Sequence, residues 1–520
     1  MKTAFIHGIV SPHDQNCTAF VIENNRFIYT GNDETASQLA DTVIDLNGKC
    51  VLPGFNDSHM HLLNIGSFLA NLDLTQARSS DEILEMVKKK AETLPEGTWI
   101  TGRGFNQDNF KDGKMLSKQE LDRVCPTHPV MLTRCCGHMI CVNSMAFEKA
   151  NITEFTVVEG GTIDFEKGIV TENANELIKG AKEEVTIEEI EELFIKAAEF
   201  CHQYGITSVQ SDDFITLTPH YDKVLQALIN LDQKKQMKVR LREQCQFTSL
   251  KFFDKFLQDD RRHYHSEFLS MGPLKLLQDG SLGARTAALS RPYEDSPSEK
   301  GLIVIPEPQL EAFLKKAKDH DMGAAVHVIG DEACDSVLNA YEKINDVGNP
   351  LRSGLVHVQI TRDDQLKRIA DLKLHSYIQT IFVDYDARIV KSRVGNLEES
   401  SYAFKTLFDT ASISNGSDSP VELPDVLKGI ECAVTRTSIT DPSRTLNVKE
   451  ALSVQEAIHS YTTGGAYASF EENIKGKIQE GMLADFVILE KNPMTVPANE
   501  IHSIPVLETW IDGNQVYKKV

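Results

Sequence analysis

The chain has 520 residues, 41% of them hydrophobic and 25% charged, which is ordinary for a soluble globular protein with room for more than one core. With 54 Lys and Arg against 76 Asp and Glu the formal net charge is −22, which argues against nucleic acid or an anionic membrane surface as the partner. No apolar run is long enough to span a bilayer, and the first ten residues lack a signal-peptide plan. Ten scattered cysteines with no Cys-x-x-Cys pair read as the reduced thiols of a cytoplasmic protein.

Residues 1 to 50 read as short strands (Ala19–Ile22, Phe27–Tyr29, Thr42–Asp45) broken by Asn24-Asn25, Gly31-Asn32 and Asn47-Gly48. Next, Val51-Leu52 meets Pro53-Gly54, and Phe55-Asn56-Asp57-Ser58-His59-Met60-His61 follows. On a strand, residues two apart share a face, so His59 and His61 can converge on one point, as a transition metal requires. Spacing alone is weak, because His263-Tyr264-His265 repeats it inside a charged stretch with no apolar strand before it. That second pair reads as a solvated surface segment.

Residues 70 to 180 read as a globular insertion, since they separate the first two candidate strands by far more than a βα unit needs. From there buried-strand runs alternate with amphipathic helices such as Ile187–Gln203 and Leu310–His320. The candidate strands are Val51–Asn56, Gly205–Gln210, Val239–Gln244, Gly272–Leu277, Gly323–His327, Gly354–Val358, Leu374–Gln379 and Ala411–Gly416. Eight parallel strands make a (β/α)8 barrel of the TIM type. The C-terminal segments Ala484–Leu489 and Thr509–Tyr517 return to strand and hairpin signals, with Gly513-Asn514 as the expected turn. The fold class expected is α/β. It comprises a β-sandwich from residues 1–50 plus 470–520, a hydrolase barrel over 51–469, and the 70–180 insertion covering the active site.

Barrels of this kind gather their chemistry at the C-terminal ends of the strands. There the sequence places His59 and His61 on strand one, Lys275 within strand four, His327 on strand five, His357 on strand six and Asp418 after strand eight. His327 and His357 are one βαβ unit apart, roughly 30 residues. Taken singly, each has an ordinary structural reading: a hydrogen-bonded core histidine, a turn aspartate, a paired lysine. Occurring in phase with the strands, they read as a site. Four imidazoles and a carboxylate exceed the needs of one tetrahedral zinc, so two metal ions are the natural count.

The segments Pro53–Leu62, Lys275 with Asp279-Gly280-Ser281-Leu282-Gly283-Ala284-Arg285-Thr286-Ala287, His327–Asp331, Val356–Gln359, Gly416–Val421 and Gly476–Leu489 resemble the amidohydrolase superfamily. Within it they resemble the branch containing N-substituted formamide deformylase, and the likeness extends through the insertion at Trp99–Asn106 and at Cys136-Gly137-His138. The resemblance implies two divalent metal ions, most naturally zinc. His59 and His61 would hold the more buried ion, and His327 and His357 the more exposed one. Lys275, carboxylated by CO2, would bridge them. Asp418 would bind the buried ion and shuttle a proton from a metal-bridging hydroxide to the leaving amine. The implied reaction is hydrolysis of a non-peptide C–N bond in a small-molecule amide or formamide. Arg285 is expected to act in catalysis at the substrate, with Arg103 and His138 as further candidates. A homodimer is left open. Val356 stands where branch members often carry a glutamate, which questions the support of His357. The alternatives are a mononuclear hydrolase and a metal-binding or regulatory protein that kept the fold.

Overall fold

The structure is a computed structural model that describes the chain except residues 11–16, 108–109, 111–113, 136–137, 183 and 218–220, so Cys136 and Gly137 of the insertion motif lie outside the described residues. Contacts divide the chain into two compact units, Met1–Asn64 with Ile190–Val520, and Ile65–Glu189.

The first unit holds a β-sandwich drawn from both ends of the chain. One sheet orders Arg26–Gly31, Ala19–Glu23, Lys2–Ile6 and Thr42–Asp45. The other orders Ile9–Val10, Cys50–Pro53, Phe486–Leu489, Val506–Ile511 and Asn514–Lys518. Its filling is aromatic. Phe5 stacks on Phe20 with centroids 4.7 Å apart, Phe486 stacks on Trp510 at 5.4 Å, and Phe5 meets Phe486 edge-on. Large rings on alternate strand positions bury much apolar area in a small two-layer unit. The last hairpin turns at Asp512-Gly513 instead of the expected Gly513-Asn514. Both turn residues have left-handed φ, 57° and 72°, the pattern of the tight turn that matches strand twist.

The expected first barrel strand, Val51–Asn56, is in fact two strands. Cys50–Pro53 belongs to the sandwich, where it pairs with Phe486–Leu489. Past Gly54, Phe55–Met60 becomes barrel strand one. An apolar run continuous in sequence thus serves two sheets, because the Pro-Gly break lets the chain change partners.

The other seven strands of the parallel sheet are Ile206–Ser211, Arg240–Gln246, Leu269–Leu277, Ala324–Val328, Gly354–His357, His375–Ile378 and Ser412–Asn415, in sequential order. They lie within a few residues of the segments expected from the apolar runs. Closure between strands eight and one is made at their C-terminal ends, where Asp418 N–H donates to His59 O at 2.8 Å and His61 N–H donates to Ser419 O at 2.9 Å. Gly416 permits this approach, since a Cβ there would lie 2.6 Å from His59 N and 2.7 Å from an Asp57 carboxylate oxygen. Helices Ile187–His202 and Glu307–Lys318 stand where amphipathic periodicity placed them. Barrel and sandwich are joined by Arg240 of strand three. It is 2% exposed, pairs bidentately with Asp485 at 2.6 and 2.9 Å, and reaches Asp512 at 3.0 Å.

The second unit carries a six-stranded mixed sheet, ordered Gly161–Asp164, Ile169–Glu172, Met139–Val142, Val130–Arg134, Ile100–Phe105 and Leu72–Asp73. It has its own core, with Leu74, Ile83, Phe105 and Leu132 in one cluster and Ile140, Phe147 and Val170 in another. Among the described residues no helix is long and apolar enough to cross a membrane. The nine described cysteines are all free thiols.

Candidate metal centre

The strand ends bring His59, His61 and Asp418 together, with ligand atoms all within 4.8 Å of one another. His59 Nε2 lies 3.3 Å and His61 Nε2 3.0 Å from the same Asp418 carboxylate oxygen. Asp418 reaches this spot through a left-handed backbone, φ 57°. His357 and Val358 are also left-handed, at 76° and 51°, an unusual conformation for a β-branched residue such as Val358 and one that clusters at functional sites. His357 packs edge-on to both His59 and His327, with centroids 5.4 and 4.5 Å away.

The far side of each ring fixes its tautomer. Gln244 donates its amide N–H to Ser58 O at 3.1 Å, so its amide oxygen faces His59 Nδ1 at 2.8 Å as an acceptor. Gln379 likewise donates to Tyr377 O and offers its oxygen to His357 Nδ1 at 2.6 Å. An Asp212 oxygen lies 3.0 Å from His61 Nδ1. In all three rings Nδ1 therefore carries the hydrogen, and Nε2 is left to face inward. His327 is turned the other way. Its Nε2 donates to Gly280 O at 3.0 Å, which leaves the lone pair on Nδ1.

This arrangement fits a cation. Burial and the Lys275 charge both lower the pKa of His59, so it resists a second proton. His59 Nε2 and an Asp418 carboxylate oxygen lie 3.3 Å apart, close enough for one cation to be held by both. Burial also opposes charge on His61. Asp212 and Asp418 outweigh it and raise the His61 pKa well above its ordinary value. Burial likewise works against ionised Asp418, yet bonding to His59 and His61 holds it well below the usual carboxylate range. The pocket is built for a positive charge at the point where the two Nε2 atoms and Asp418 meet.

Lys275 is 1% exposed, and its Nζ donates to Asp212 at 2.9 Å. Sequence reading missed Asp212, because an aspartate following strand two in Ser211-Asp212-Asp213 resembles a turn. Among the described residues it is the one carboxylate that touches both Lys275 and His61, and despite burial those positive charges hold it well below the ordinary range. Gln244 and Gln379 were missed too, since a strand glutamine carries no motif. Gln379 also answers the question raised by Val356. Val356 is buried against Ala325, Tyr377 and Ala468, and strand seven supplies the partner of His357.

Two further carboxylates tie the loops. Asp57, pushed up to about 7 by burial, accepts from the backbone N–H groups of Ser417 and His59. Asp279 accepts from Ala288, Ile329 and Gly330 and so joins the loops after strands four and five. Arg285 sits in the former loop, half-buried and paired bidentately with Asp295 at 3.0 and 2.9 Å. Arg103 and His138 belong to the second unit. Arg103 is exposed on strand Ile100–Phe105, and the exposed His138 pairs with Glu172 at 3.1 Å. His263 and His265, the decoy pair, are exposed on a short turn of helix and the segment after it.

Residues 42–517 match the amidohydrolase family model. Protein YtcJ of Bacillus subtilis (strain 168) is 34% identical over 486 residues, spanning 92% of this chain and 90% of that one. N-substituted formamide deformylase of Arthrobacter pascens is 24% identical over 503 residues, with 92% and 90% covered. A crystal structure described as an uncharacterized metal-dependent hydrolase of Pyrococcus horikoshii OT3 superposes with a TM-score of 0.78 at 29% identity, covering 96% of this chain and 99% of that one. The chain belongs to the amidohydrolase family, and its histidine–carboxylate donor set fits a metal-dependent hydrolase of that family.

Proposed function

We propose that this protein hydrolyses a C–N bond in a small-molecule amide, formamide or related substrate. The observation that carries the reading is the inward Nε2 of His59 and His61 meeting at Asp418, with their Nδ1 atoms held by Gln244 and Asp212. Family membership and the likeness to a formamide deformylase point to the bond class.

His59, His61 and Asp418 would hold one divalent ion and His327 with His357 a second, and imidazole and carboxylate donors suit zinc. Lys275 would bridge the two as its carbamate. A carbamate nitrogen keeps one hydrogen, so its donation to Asp212 at 2.9 Å is compatible with that form. Bound there, such ions supply an acidified water and a Lewis acid for the scissile carbonyl. Asp418 takes the proton from the attacking water and delivers it to the leaving nitrogen. Asp212 and Gln244 keep His61 and His59 in one tautomer throughout. Arg285, steadied by Asp295, is proposed to contact the polar end of the substrate.

The test combines metal analysis of the purified protein, intact mass under native and acidic conditions, and a hydrolysis panel of N-formyl and N-acyl amines. Bound zinc, a mass loss of CO2 on acidification and turnover abolished by His59→Ala are expected. Folded protein that takes up no metal on incubation with zinc and cleaves no member of the panel would refute the proposal.

A further inference from the structure

At the opposite, N-terminal end of the barrel lies a cavity of about 310 Å³ bounded by the starts of strands three to six. In barrels of this class that end ordinarily serves stability, and buried arginines there are then fully paired. Arg240 is such a residue, its guanidinium saturated by Asp485 and Asp512. Arg242, two positions along the same strand, is different. It donates Nη1 to Ser469 O at 3.2 Å, while its Nε is buried with no partner. A Cβ at Gly272 would crowd the Arg242 stem at 3.0 Å, so the glycine makes room for the side chain against strand four.

Arg242 lines this cavity with Arg262, Arg352, His263 and His320. Arg352 is neutralised by Glu472 at 2.6 and 3.0 Å. Arg262 makes no ion pair among the described residues, and the nearby Glu471 is taken by Lys475 at 2.6 Å. Two guanidiniums and two imidazoles thus line the cavity, and among its described lining residues the exposed Asp321 is the one carboxylate. In a chain of net charge −22 this is a local reversal of sign. The remaining wall is apolar, with Phe256, Met271 and Phe470, whose ring also lies under Arg352 at 4.1 Å.

We infer that this cavity is a second ligand site, separate from the metal centre, for a small organic oxyanion: a carboxylate or phosphate head between Arg242 and Arg262 with an apolar body against Phe256 and Phe470. The volume is at the low end of small-molecule pockets, which typically hold a few placed polar groups in an apolar wall. His263, half of the pair that mimics the metal motif, finds its use at the rim of this site.

The test is calorimetric titration of the full-length protein with phenyl phosphate, phenylacetate, inorganic phosphate and, as a neutral control, benzyl alcohol. One saturable event is expected for the organic anions and none for the alcohol, weakening as salt is added. The event should persist in His59→Ala and fall roughly tenfold or more in Arg262→Gln, about the loss of one charge-assisted contact. Arg242→Met, checked for folding by circular dichroism, should act in the same direction. Because Arg262 lies on a surface turn, its variant decides the matter even if Arg242→Met misfolds. Binding that vanishes in His59→Ala but is untouched by Arg262→Gln would assign the event to the metal centre and overturn the inference. Absence of binding by every anion would also overturn it.

Discussion

Asp212 offers the sharpest test of how the metal centre is held. Asp212→Asn keeps the shape and removes the charge. In the metal-free protein the substitution strands Lys275 as a cation that is 1% exposed and has lost a carboxylate 2.9 Å away. At an effective dielectric near 20 that contact is worth about 6 kcal/mol before desolvation. Breaking one side of a buried pair typically costs about 3–5 kcal/mol. The loss should appear as a lower urea midpoint in metal-free protein. Removing the acceptor of His61 Nδ1 should also weaken metal binding roughly 10- to 100-fold, or about 1.4–2.7 kcal/mol, as outer partners of metal-bound histidines do. Competitive titration against a chromogenic chelator reads the second effect and denaturant unfolding the first. Adding Lys275→Met to the variant should recover part of the stability without restoring metal affinity, because the buried cation is gone while His61 remains unsupported. Wild-type stability together with wild-type metal affinity in Asp212→Asn would refute the assignment of Asp212 as the residue that positions both groups.

Arg240→Met should destabilise the protein by about 3–5 kcal/mol, since it leaves Asp485 buried and unpaired where barrel meets sandwich; differential scanning calorimetry checks this, and an unchanged transition would refute it. Gly416→Ala should cost about 1–3 kcal/mol by overpacking against His59 N and Asp57, and metal content should fall with stability because the strand that carries His59 must shift. Burial pushes the Asp386 carboxyl up to about 7, although Tyr402 donates a hydrogen bond to it at 2.8 Å. A carboxyl whose folded pKa exceeds the unfolded value near 4 favours the folded state at low pH, and that contribution is lost as pH rises towards 7. Asp386→Asn should therefore flatten the stability profile between about pH 4 and 7, by at most about 1.4 kcal/mol per pH unit. Unfolding midpoints across that window that are as steep in the variant as in wild type would refute this.

The alternation of apolar strands and amphipathic helices was enough to specify the barrel, because burial on both faces of a parallel sheet leaves near-continuous apolar runs that are local in sequence. The phase of His59, His61, His327, His357 and Asp418 with those runs was readable for the same reason: a strand end fixes where its last side chains point. What the sequence by itself could not determine is which groups stand behind the ligands. Asp212, Gln244 and Gln379 come from strands two, three and seven and look like any polar residue near a strand end. They become partners of His61, His59 and His357 only when the sheet curls into a barrel and its strand ends converge. The division of Val51–Asn56 between two sheets and the closure at Gly416 are of the same kind, since each depends on which backbone lies opposite. Local pattern determined the strands and the residue types at their ends. Only the tertiary structure decided tautomer, charge and partner, because those are set by atoms that lie close in space and far apart along the chain.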